Sequence, residues 1–145
     1  MIRISKKQDG YAAVEFIATL PILLLLLVAV TEIARMMVDY NTLSKAVRVG
    51  ARYASAQSDT SGCAVLLSQQ DTIKQLVVNG SLSDGSTALL DDWTTGDVSI
   101  TCDDNVFVTV TATYTFTPSL MSTLPFTGTS LALPMNASTV MRLSL

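Results

Sequence analysis

The chain has 145 residues, 12 acids against 9 bases, no histidine and two cysteines. That length suits one domain, and the missing histidine removes the commonest general base and the commonest zinc ligand, which excludes His-dependent hydrolase triads and most zinc sites. Charge is unevenly placed: Arg3, Lys6 and Lys7 stand with Asp9 alone near the start, whereas from Asp59 onward eight acids meet only Lys74 and Arg142, an acidic portion unsuited to gripping nucleic-acid phosphates.

The first element is apolar. Phe16 to Thr31, FIATLPILLLLLVAVT, carries no charge. A bilayer-spanning helix needs roughly 20 mostly apolar residues, so the span extends over 11–33 and takes in Glu15. An ionised carboxylate inside a membrane is costly and points to function. Three readings meet this segment. A cleaved secretory signal has the right basic start, but Glu15 interrupts its apolar region and the exit VAVTEIARMM offers no A-x-A site. An uncleaved anchor would let Glu15 snorkel to the interface. In the third reading Gly10 precedes Tyr11, and Glu15 is the fifth residue after Gly10. A basic leader, a glycine and an apolar helix with glutamate at its fifth position form the pattern that prepilin peptidases cut. Cleavage after Gly10 exposes a new ammonium at Tyr11. In a filament, Glu15 of one subunit would neutralise that group on a neighbour and set their register.

The stretch from Gly10 to Ala54 resembles the TadE-like family of minor pilins, or pseudopilins, of tight-adherence (Tad) pilus systems. The residues that carry the resemblance are GYAAVEF (Gly10 to Phe16), Leu20-Pro21, the leucine run Leu23 to Leu27, Glu32 with Arg35, and AVRVGARYA (Ala46 to Ala54). The last is the most specific, because nothing about crossing a membrane calls for it. Tyr11 and Thr31 depart from the pattern, and the match covers about a third of the chain. The resemblance implies cutting by a prepilin peptidase between Gly10 and Tyr11. It also implies an assembly role for Glu15, Phe16 and Pro21, and retention in the inner membrane with the N-terminus cytoplasmic. The expected partners are the peptidase, the major pilin and other minor pilins, the inner-membrane assembly platform and membrane lipid. The expected outcome is pilus assembly or initiation for surface adherence and biofilm growth.

Beyond Glu32 the apolar residues Ile33, Met36, Met37, Tyr40, Leu43, Val47, Ala51 and Ala54 recur at helical spacing. One helix is therefore expected over 11–55, about 65–70 Å long, with this stripe packed on the protein's own head. Lys45, Arg48 and Arg52 share another face, which reads either as solvated or as meeting acids of the head or of a neighbouring pilin, with pairing to the head the first expectation. Gly50 offers room for close approach of another element. Arg48, Gly50, Arg52 and Tyr53 are the expected packing or partner residues of this segment. Pro21 removes a backbone hydrogen bond within the span.

The head is expected over 56–145. Ser55 to Gly62 reads as a polar linker, and 64–78 as one short helix with Leu66, Ile73, Leu76 and Val77 inward and a stop at Asn79-Gly80. Ser81 to Gly96 reads as loop, with Leu89, Leu90 and Trp93 against the core. The period then becomes two. Val98, Ile100 and Cys102 mark one strand, and Asp103-Asp104-Asn105 a turn. A second strand from Val106 to Phe116 turns its valines inward and its threonines outward. After a loop with Pro125 and Gly128, a third strand runs around Leu131 to Leu143, placed at an edge by Pro134. Cys63 and Cys102 are expected to form a disulfide after export.

The fold class is thus α+β: a long N-terminal helix, membrane-spanning in its first half, packed on a small antiparallel sheet with one short extra helix. The leading functional expectation is an assembly subunit without catalytic residues, cofactor, resident metal or nucleic-acid partner. The alternative is a membrane-tethered periplasmic binding or adhesin domain that never enters a filament. The pairs Asp91-Asp92 and Asp103-Asp104 are read as turn and solubility residues, with calcium as the lesser reading.

Overall fold

The computed structural model describes residues 9–57, 63–83, 85–123 and 127–143. The basic flank Arg3, Lys6 and Lys7, residues 58–62 of the expected linker, and Pro125 lie outside the described residues. Helix α1 runs Asp9–Gln57 and keeps Pro21 inside it, so Ser55 is helical and not the start of a linker. Between Tyr11 and Val49 the sequence has no glycine and is rich in leucine and alanine, residues that favour helix.

Two compact units divide the chain, Met1–Arg35 and Met36–Leu145. In the first, residues 10–27 of α1 are all exposed, and Leu23 to Leu27 show 47–59% of their surface. Thr19 and Thr31 turn their hydroxyls back onto the carbonyls of Phe16 (3.1 Å) and Val28 (2.8 Å). Polar side chains in an apolar segment are thereby satisfied within their own helix.

In the second unit, residues 36–57 of α1 pack with two helices, α2 (Cys63–Ser68) and α3 (Gln70–Asn79), and with a sheet of β1 (Val98–Asp103), β2 (Phe107–Phe116) and β3 (Leu133–Arg142). The single helix expected over 64–78 is two. Gln69 leaves helical geometry, and the polar run Ser68 to Asp71 gives the chain no apolar anchor there. Leu66, Ile73, Leu76 and Val77 are all buried. Helix α3 ends where Gly80 adopts φ 68° and its N–H donates to the Leu76 carbonyl (2.9 Å), a left-handed C-cap open to glycine.

The sheet is an antiparallel meander in the order β1-β2-β3. Val108, Val110, Ala112 and Phe116 of β2 are buried, with Val98 and Ile100 of β1 and Met135 and Ala137 of β3. Val106 lies at the hairpin turn, ahead of β2. Its N–H donates to the Asp103 carbonyl (3.0 Å), and Asp104 and Asn105 both have positive φ, 50° and 55°, as in type I′ turns. Pro134 lies on the edge strand opposite Thr115.

Two expectations about packing need correction. Ile33, Met37 and Tyr40 of the stripe are exposed, and Met36 is half-buried. The buried line is Leu43, Ala46, Val47, Gly50, Ala51 and Ala54. Tyr40 lies about 60° round the helix from Leu43, on the side that also carries buried Ala51, so its exposure follows from its place along α1, ahead of Leu43 where the buried cluster begins. Leu89 is also exposed, although Leu90 and Trp93 are buried. Its N–H is tied to the Val78 carbonyl (2.8 Å), and its side chain lies over Gly80.

Candidate functional site

Gly10 and Tyr11 lie at the start of α1, both exposed. A Cβ placed at Gly10 would meet no atom within 4 Å among the described residues. Glu15 and Phe16 are exposed one turn further on. Residues four apart share a helix face, so Glu15 stands above Tyr11. Pro21 contributes no N–H, which leaves the Ile17 carbonyl without its helical donor. At the far end of the apolar stretch, Glu32 is buried and its carboxylate lies 3.5 Å from the Arg35 guanidinium, one turn on.

The residues expected to form one packing or partner face divide between two. Gly50 is buried, and a Cβ there would overlap Val77 Cγ2 of α3. Tyr53 is half-buried against the core. Arg48 and Arg52 are exposed, as is Lys45. These three lie about 140–200° round the helix from Leu43, on the side away from the core. Among the described residues none of them is ion-paired with a carboxylate, so the expected pairing with the head is not made. The core line points the basic residues outward, and geometry separates them from the head's acids.

Cys63, the first residue of α2, and Cys102 in β1 are paired as a disulfide with Cα atoms 6.0 Å apart. Both side chains pack at the margin of the core.

A second feature was not legible from the sequence. β1 begins at Val98 opposite Ala112, so β2 continues past its partner. Trp93 covers the gap, its indole N–H donating to the Thr113 carbonyl (3.1 Å), while the Thr113 hydroxyl donates to the Asp97 carbonyl (3.3 Å). Asp97 closes a short 3-10 turn, Thr95–Asp97, by accepting the Thr94 N–H and hydroxyl at 3.0 and 2.7 Å. What remains is an open recess of about 240 Å³ bordered by Asp91, Asp92, Asp97, Trp93 and Tyr114. No cluster of three or more potential metal ligands occurs among the described residues.

An apolar, exposed helix long enough to cross a membrane, leading into a small disulfide-linked α+β unit, defines a helix-and-head class of protein. Within it, the family model of TadE-like proteins matches residues 10–52, and that family is associated with Tad pili. The matched stretch begins at Gly10 and ends at Arg52, so it takes in the Gly10–Tyr11 bond, the apolar segment and the basic face. No curated protein and no solved structure matches the chain.

Proposed function

We propose that this chain is a minor pilin-like subunit of a Tad-type pilus system, cut between Gly10 and Tyr11 and active through assembly rather than catalysis. One observation carries the reading: Gly10 and Tyr11 exposed, with Glu15 one turn on, at the head of an exposed apolar helix that matches the TadE-like family model. A lone carboxylate within a span costs about 2.5–3.5 kcal/mol on insertion scales. A neighbour's Tyr11 ammonium removes that penalty and fixes the relative height of two helices. The helix stays in the inner membrane until assembly, with the segment before Gly10 cytoplasmic and the head exported. The partners are a prepilin peptidase, the major pilin and fellow minor pilins, and the assembly platform.

The test is the mature N-terminus. Mass spectrometry of the protein from cells with and without the peptidase should give Tyr11 only when the enzyme is present. An N-terminus at Met1 in both would overturn the reading. Glu15→Ala should abolish piliation while membrane insertion persists, and normal piliation in that variant removes the register role.

A further inference from the structure

The outer face of α1 within the second unit has a charge pattern that its own head leaves unanswered. Lys45, Arg48 and Arg52 are exposed on the side opposite the buried line Leu43–Val47–Gly50–Ala54. They span about 10 Å along the helix. The same unit carries three carboxylates, Asp91, Asp92 and Asp97, around the recess beyond the start of β1. Asp91 and Asp92 are exposed, and no ion pair joins them to a base among the described residues. The recess also has an aromatic border, half-buried Tyr114 beside the buried Trp93. Carboxylates beside aromatic faces suit a guanidinium, which pairs through its edge and stacks through its plane.

We propose that the basic face of α1 docks into the acidic recess of a second copy of this chain. Three cations meet three anions, and Arg48 or Arg52 enters the recess between the carboxylates and Tyr114. The two surfaces are different patches of one unit, so the contact is heterologous. Each copy offers one recess and one basic face, and the contact repeats from copy to copy. This deepens the assembly reading by naming a subunit contact, and rests on it only for its place in a pilus.

The experiment uses the full chain in neutral detergent micelles, with association followed by sedimentation. The unaltered protein should form a concentration-dependent series of oligomers at low salt. These should weaken at least tenfold by 0.5 M salt, because exposed charge pairs are screened over a few ångström there. Two variants separate the surfaces: K45A/R48A/R52A removes the basic face, and D91N/D92N removes two of the three recess charges, sparing Asp97, which caps its own turn. Asparagine is chosen because Asp92 has φ 57°, a left-handed backbone that asparagine tolerates. Each variant alone should remain monomeric with an unchanged far-ultraviolet spectrum. Mixed together they should form a 1:1 dimer and nothing larger, since only one intact recess and one intact face remain.

Salt-insensitive association, or variants that associate as the unaltered chain does, would overturn the proposal. So would a mixture that stays monomeric. Association that appears only when anionic lipid is added to the micelles assigns the basic face to lipid headgroups and also overturns it. The salt series on the unaltered chain decides the matter should a variant fail to fold. Loss of piliation with Glu15→Ala tests the assembly reading separately, so either idea can fail without the other.

Discussion

Gly50→Ala sets helix propensity directly against packing. In an isolated helix this change stabilises by about 1 kcal/mol. Here the added methyl group would overlap Val77 Cγ2, and both residues are buried, Val77 with no exposed surface. A β-branched side chain has little rotamer freedom to move aside. Overpacking of this kind costs about 1–3 kcal/mol, so the net effect is a loss of about 0–2 kcal/mol. Cutting back the partner should reverse the sign. Val77→Ala alone leaves a void and destabilises, yet in V77A/G50A the new methyl partly fills it. The double variant should then be more stable than the sum of the two single changes by about 1–2 kcal/mol, a coupling typical of touching residues. Trp93 is the only tryptophan and is buried, so its fluorescence during denaturant unfolding in micelles reports the head. An increase of about 1 kcal/mol for Gly50→Ala, with no coupling to Val77→Ala, would refute the close-approach argument.

Reducing Cys63–Cys102, or replacing both by serine, releases a loop of 39 residues and should lower stability by about 4 kcal/mol in the chain-entropy model; an unfolding midpoint indifferent to reductant contradicts it. Gly80→Ala forces a side chain into φ 68° and against Leu89 and should cost about 1 kcal/mol, read as a lower thermal midpoint. Asn105→Gly should raise that midpoint by the equivalent of about 0.5 kcal/mol, because position 105 has positive φ in the hairpin turn. A fall would show that the asparagine side chain contributes more than the backbone relief. Asp97→Ala removes two acceptor contacts to Thr94 and should cost about 1 kcal/mol, measured by the same unfolding curve.

Much of the fold was legible because local chemistry and tertiary need agree. The leucine run, the αL stop at Gly80, the valine–threonine alternation of β2 and the edge-strand proline each carry their own signal. Gly10, Tyr11 and Glu15 stand out in the sequence by spacing alone, and the structure adds that all three are exposed at the start of α1. What escaped depends on register. Nothing local distinguishes Tyr40, exposed, from Leu43, buried; only how far along α1 the core reaches does. The break at Gln69 turns on the absence of anchors in Ser68–Asp71. The acidic recess arises because β1 begins at Val98 while β2 runs on to Phe116, a mismatch set by pairing. Asp91 and Asp92 therefore read as ordinary loop acids until the strands are aligned.

The edge strand has a bearing on how these units tolerate crowding. β3 is one border of the sheet and contains Pro134, so at that position it has no N–H to offer an incoming strand. The other border, β1, is only six residues long. Pro134 is the second of ten residues, so the block falls at one end of β3, and Met135–Arg142 keep their outward backbone groups. Crowded units are thus hindered from joining through their backbones at one end of β3 and along the short β1, while the rest of β3 is the stretch where such pairing would have to start.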